Sequence, residues 1–321
     1  MAEEQDARAA PQVITVRGMV EAAGLGPWLC HEHVMVDFIG AEKASPKRYD
    51  ADEVIRHVLP RLRRARTAGA EVFVDCTPAY LGRDVHILDR LSIESSLHIL
   101  TNTGYYGAAN DLYVPTHAHA ETAGQLAARW VNEWRDGIDG AGIRPGFIKT
   151  GVDTGPLSAI DAKLVRAAAK THLATGLTFA SHTTDAKAVE EEILLLAGEG
   201  VGGAAFIWVH AHTVPDPELH AKAARQGVWV EFDGLSPDSI DLHVDLVSNM
   251  KKRGLLNKVL VSHDAGWYRV GEPDGGAFRP YDTLFTHFIP ALRNKGFSEA
   301  EIWILTTQNP ANAYSIGIRA V

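Results

Sequence analysis

Short β-branched runs alternate with longer amphipathic stretches along the chain, and beyond residue 27 the alternation repeats eight times. The runs are 28–34, "EVFVDC" 71–76, "HILTNTG" 98–104, "GFIKTGV" 146–152, "TFASHT" 178–183, "FIWVHAH" 206–212, "VWVEFD" 228–233 and "KVLVSHD" 258–264. Helical spacing of apolar residues marks the stretches near 51–68, 84–96, 120–136, 158–174, 185–198, 216–226, 238–253 and 281–295. Crossovers of that length join parallel strands, with helices packed outside them. The expected fold is α/β, a (β/α)8 TIM barrel. An open doubly wound sheet would need fewer strands and a Gly-rich phosphate turn, and "GVGG" at 200–203 is too short and misplaced for one. Ahead of the first run, "VITVRGMVEAAGLGPW" reads as a short N-terminal β-hairpin that closes the barrel floor. "QNPANAYSI" reads as a last helix capped by Asn309, with Pro310 in its first turn. No linker interrupts the pattern, so a single domain over 1–321 is expected, with 1–12 as a disordered tail.

In such a barrel the active site forms at the carboxyl ends of the strands, so the residues that stand there carry the most information. The first run ends in His31 and His33, whose spacing of two puts both on one face. The fourth carries Lys149, the fifth ends at His182, the sixth at His210 and His212, and the eighth at His263 and Asp264. A lone strand histidine is more often packed in place than a ligand, and an aspartate before small residues can simply form a turn. Donors gathered at one end of one barrel are harder to obtain by chance. His263 should face away from Asp264's side of the strand. His57, His86, His172, His220, His243 and His287 fall within helical patterns and are assigned to surface or packing. "HEH" lacks the three-residue spacing of the zincin helix, and no G-x-S-x-G elbow appears.

A protonated lysine among such donors would repel a cation. Burial and nearby cations favour the neutral amine, which can add carbon dioxide to become an anionic carbamate. Two divalent ions bring +4, and Asp264, a bridging hydroxide and a carbamate on Lys149 bring −3, whereas an ammonium would leave an unburiable +3.

The formal net charge of −9 and the lack of a basic stripe argue against nucleic acid or anionic membrane as partner. The run "RLRRAR" at 61–66 belongs to a helical pattern. Cys30 and Cys76 are expected to be free buried thiols. No apolar stretch is long enough to span a bilayer, and the polar, acidic opening "MAEEQDARAAPQ" resembles neither a signal nor a transit peptide, so a cytoplasmic location is expected.

Taken in order, "HEH", "GFIKTG", "SHTT", "VHAH" and "SHDAG" resemble the phosphotriesterase-like enzymes of the amidohydrolase superfamily. The likeness extends through "GRDV", "RAAAKTHLATGL" and "FIPALRNKGFS…TTQNPANAY". It implies a binuclear metal hydrolase in which His31, His33 and Asp264 hold the buried ion, His182 and His210 the exposed one, and carboxylated Lys149 bridges them. Zinc is the first choice of metal, and Co, Mn or Fe suit the same donors. Asp264 would also accept the proton from the attacking hydroxide. His212 would stand behind His210, or replace it if the strand register slips by two. Tyr106, or its neighbour Tyr105, resembles the lactonase tyrosine near the metals, giving Tyr106 a catalytic and Tyr105 a substrate-binding role. Asp233 is retained, but Gly234 stands where relatives often carry arginine or histidine. In the long loop after the last run, "GWYRVGEPDGGAFRP", Trp267, Tyr268 and Arg269 are candidates for substrate contact.

The function these features imply is hydrolysis of a lactone or related ester, with slower phosphotriester cleavage as a side activity. A dedicated phosphotriesterase is the nearest alternative, and a non-catalytic barrel that retains metals for structure is the alternative of a different class. A small-molecule substrate is the expected partner, and a homodimer is the assembly the resemblance points to.

Overall fold

The computed structural model describes residues 10–321. The expected tail therefore lies outside the described residues over 1–9, while Gln12 already opens the first strand. The antiparallel hairpin pairs β1 (Gln12–Thr15) with β2 (Gly18–Glu21). Ten further strands follow: β3 (Trp28–Val36), β4 (Val72–Asp75), β5 (His98–Leu100), β6 (Asn102–Thr103), β7 (Phe147–Gly151), β8 (Phe179–His182), β9 (Phe206–Val209), β10 (Trp229–Phe232), β11 (Val259–Val261) and β12 (Ala265–Arg269). Their pairings are all parallel and run β12-β3-β4-β5 and β6-β7-β8-β9-β10-β11. β5 and β6 are one run interrupted at Thr101, and β11 and β12 one run interrupted at 262–264. The two sheets thus join into a ring with eight positions, the architecture the alternation predicts.

Helices cover the outside, and their boundaries follow local signals. The helix Ala159–Thr175 begins at a capping box between Ser158 and Asp161 and ends where Gly176 turns left-handed at φ 75°. No described helix is long and apolar enough to cross a membrane. Two expectations about the C-terminal region need correction. Asn309 does not cap the final helix, because Gln308 before it is already helical and the Asn309 amide instead donates to the carbonyls of Leu256 and Val259. The segment after the eighth run also begins as a strand: Ala265–Arg269 adds to β3 and closes the ring.

The barrel interior is divided by height. Its lower part is apolar, with Trp28, Val72, Val74, Leu100, Phe147, Ile207 and Leu260 buried together. Val13 of the hairpin and Tyr314 of the last helix plug this floor, Tyr314 stacking on Trp28 at 6.0 Å and donating to the Cys30 carbonyl at 2.9 Å. Each such buried side chain contributes roughly 1.5–3 kcal/mol. Above the floor the lining turns polar, and β3 makes the change. Its pairing with β4 shifts between Leu29 and Glu32, so that Cys30 belongs to the apolar floor while His31 and His33 still face inward above it. A bulge of this kind re-aims side chains beside a site.

Candidate active site

At the carboxyl end of the ring, His31, His33, Lys149, His182, His210 and Asp264 line one pocket of about 170 Å³. The imidazoles are in mutual contact, with ring centroids 5.4 Å apart for His31 and His33, 5.3 Å for His31 and His210, and 4.4 Å for His182 and His210. Asp264 Oδ1 lies 3.0 Å from His33 Nε2 and 3.8 Å from His31 Nε2.

What stands behind the rings defines which nitrogen is free. Thr77 Oγ1 meets His33 Nδ1 at 2.8 Å, Asp233 Oδ2 meets His31 Nδ1 at 2.8 Å, and Asp233 Oδ1 meets His210 Nδ1 at 2.8 Å. Each backing contact fixes a ring and leaves its Nε2 for a ligand, the arrangement that metal-binding histidines use. His31, His33 and Asp264 converge closely enough to hold a cation. A second close set, His31, His210 and Asp233, reads differently, because Asp233 already occupies the Nδ1 of both rings. No hydrogen bond backs His182 among the described residues, and it reaches the site through contact with His210 and Tyr106.

Protonation follows from burial and neighbours. Burial lowers the pKa of His33, and burial together with His210 and Lys149 holds His182 well below the ordinary imidazole range, which keeps both in the neutral form that can ligate. Burial alone would raise the Asp233 and Asp264 carboxyls. Against it, His210 and His31 hold Asp233 well below the usual carboxylate range, and His33, His31 and His210 lower Asp264. Burial also lowers Lys149, whose Nζ finds a single acceptor among the described residues, the Thr150 carbonyl at 3.2 Å. An ammonium with three donors fits such a place poorly. The donor set therefore suits divalent cations.

Backbone geometry aims two of these groups. His210 ends β9 in the left-handed region at φ 65°, where the sequence pattern predicts strand continuing to His212, and Asp264 is left-handed at φ 50°. Arg279 holds the second turn by donating to the carbonyls of His263 and Asp264 at 3.0 and 2.7 Å. Strained residues of this kind persist where the surroundings over-determine them. The break at His210 separates the two histidines of "VHAH". His210 faces the pocket, and His212 packs behind it with Nδ1 3.2 Å from Asp233 Oδ1. The space His212 fills is that of the missing side chain at 234: a Cβ on Gly234 would stand 2.4 Å from His212 Nε2.

The candidates for substrate contact divide. Tyr106 and Trp267 line the pocket, beside Phe38, Pro78, Leu81, Ala109 and Tyr113. Tyr105, Tyr268 and Arg269 do not. Tyr105 turns to His117, its hydroxyl 3.1 Å from Nε2, and packs on Trp130. Tyr268 donates to Glu53 at 2.7 Å, and Arg269 lies over the Trp267 ring and pairs with Glu272 at 3.5 Å. Acidic partners outside the pocket hold both side chains, and neither lines the cavity where substrate contact was expected of them. Thr77, Phe38 and Tyr113 carry no sequence signal, but Glu231 and Asp233 do: "VWVEFD" puts two carboxyls on one strand face, and both reach His31. Cys30 and Cys76 are free and buried, as expected.

The chain is similar to several known proteins. The sequence profile of the Phosphotriesterase family matches residues 11–314. A "Phosphotriesterase homology protein" of Escherichia coli strain K12 is 28% identical, over 90% of this chain and 98% of that protein. An "Aryldialkylphosphatase" of Saccharolobus solfataricus is 23% identical, over 92% and 97%. The structure of a variant organophosphorus hydrolase from Deinococcus radiodurans superposes with a TM-score of 0.85 at 25% identity, covering 96% of this chain and 99% of the other.

Proposed function

The chain belongs to the phosphotriesterase family, and on that premise we propose that this hydrolase cleaves a lactone or related carboxyl ester, with slower phosphotriester cleavage as a side activity. His31, His33, His182, His210 and Asp264, together with Lys149 as a carbamate, would hold two divalent cations, zinc first among them. Bound there, the cations would polarise a carbonyl or phosphoryl oxygen and make water more acidic. The observation that carries the reading is the set of imidazoles whose Nδ1 atoms are taken from behind while Asp264 faces the free side.

The chain's own groups divide the remaining work. Asp264, kept anionic by His33 and one-fifth exposed, is placed to take a proton at Oδ1. Asp233 holds His31 and His210 in register and is flanked by His212. Tyr106, half-buried and with its hydroxyl kept protonated by burial, is placed to donate to a substrate oxygen. Lys149 as a neutral amine would add carbon dioxide, forming the N–C bond and releasing one proton. The apolar wall of Phe38, Leu81, Tyr113 and Trp267 excludes water from the substrate's non-reacting part.

The nearest alternative is a dedicated phosphotriesterase. A panel of lactones and aryl phosphotriesters, run on metal-analysed protein, tests the reading. The expected result is about two metal equivalents and a kcat/KM at least roughly tenfold higher for the best lactone. Higher kcat/KM for phosphotriesters would transfer the function to the alternative, and bound metal without turnover of either class would mark a binding barrel.

A further inference from the structure

Part of the pocket wall is built by a loop with an unusual backbone. Leaving β6, the chain meets β7 once, where Gly107 N donates to Gly151 O at 3.0 Å, and then turns through Ala109, Asn110 and Asp111 at φ 66°, 54° and 60°. Three successive non-glycine residues in the left-handed region are unfavourable and need something to hold them. Other bonds hold the loop's base and far side: Asp111 N donates to Gly107 O, Leu112 N to Ala109 O and Val114 N to Asp111 O, at 3.2, 3.4 and 2.9 Å. Tyr106 bridges to Tyr113, and Ala41 N donates to Leu112 O at 2.9 Å, but none of these uses the amides of Ala109 or Asn110. Ala109 and Asn110 are exposed, so packing does not fix them either.

One side chain from another element grips the strained residues. Asp153, just beyond the end of β7, accepts from Ala109 N at Oδ1 (2.9 Å) and from Asn110 N at Oδ2 (3.0 Å). Charge-assisted bonds to two adjacent amides orient both peptides at once. Ala109 and Tyr113 then face the pocket, Tyr113 lying 5.9 Å from Tyr106 and 6.4 Å from Phe38 between ring centroids. The strand that carries Lys149 thus leads, four residues on, to the carboxylate that grips this loop.

We propose that Asp153 is a positioning residue that sets the size of the substrate's apolar group by clamping the 107–113 loop over the pocket. This rests on the pocket being the substrate site proposed above. The 170 Å³ cavity then admits a short acyl chain or small ring and rejects a bulky one while the clamp holds.

The holoenzyme, Asp153→Ala and Asp153→Asn are compared in two ways. Amide hydrogen exchange reads the clamp without any turnover: Asp153→Ala should speed exchange across 107–113 about tenfold and leave β7 and β8 unchanged. Size selectivity is read by calorimetric binding of alkylphosphonates from methyl to octyl, which are not cleaved, alongside KM for matching short and long esters. Asp153→Ala should narrow the preference for the short ligand about tenfold, raising its KM with kcat nearly constant, and Asp153→Asn, which keeps one acceptor, should fall between. Unchanged exchange would overturn the clamp, and faster exchange with unchanged selectivity would overturn its role. Phosphonate selectivity that shifts as stated in a protein that cleaves no ester would leave the clamp standing and remove the hydrolase reading instead.

Discussion

Two histidine–carboxylate pairs bridge β3 to the segment after β11, one residue apart, and they behave oppositely. Glu32 and His263 point outward and are fully buried. Glu32 accepts from the His263 ring at 2.5 Å, from Ser262 Oγ at 2.8 Å and from the backbone of His263 and Ala265, while Leu284 N donates to the remaining His263 nitrogen. Every position on that pair is taken. His33 and Asp264 point inward, where Asp264 and the His33 Nε2 meet each other and an open pocket. Residue type does not distinguish the pairs. The unfilled valence of the second does.

Substitution tests that contrast most strongly at Asp264. Asp264→Ala should lower kcat/KM by roughly 10³–10⁴ while shifting the thermal midpoint little, because it removes the partly exposed carboxylate proposed above to take a proton. A large loss of stability with retained turnover would make the inward pair structural as well. Glu32→Gln should do the reverse. Disturbing a buried, saturated carboxylate is expected to remove about 3 kcal/mol in urea unfolding, with kcat per folded molecule within a factor of about three. Lost turnover at unchanged stability would refute the division between the pairs.

Finer effects come from the groups around Asp233. Gly234→Ala should push the His212 ring from its seat and lower kcat/KM about tenfold, and the loss should not add to that of His212→Ala in the double variant. Additive losses would mean that the two positions act separately. A last test, of stability alone, is at Glu192, a buried carboxyl that accepts from Thr183 Oγ1 at 2.7 Å and whose Oε1 has no partner among the described residues. Burial pushes its pKa up to about 8, against 4.5 for an ordinary glutamate. The stability it contributes is complete below pH 4.5 and is lost as pH rises through about 8. Across that window the stability of Glu192→Gln relative to the parent should rise by about 1.4 kcal/mol per pH unit. A flat difference, measured by urea titration at several pH values, would show that Glu192 is ionised in the fold.

The barrel was legible because parallel strands buried on both faces leave near-continuous apolar runs, and the helices between them keep a clean period. The inward donors were legible because they end those runs. What the pattern missed turns on single backbone angles and distant partners. Left-handed His210 stops β9 at Val209, three residues before the end of the expected run at His212. Glu53, from a distant helix, holds the Tyr268 hydroxyl, and Glu272, three residues on in the same loop, pairs with Arg269, both outside the pocket. The role of Asp153 depends on strain at Ala109 and Asn110 that no residue type announces.

The seam where β3 meets β12 joins residues more than 230 positions apart, and His33 and Asp264 face each other across it. Completing the fold and assembling the reactive centre are consequently one event. A nascent or truncated polypeptide that has not brought its two ends of the ring together has no competent centre to misuse, and separately expressed halves should acquire activity only on reassociation.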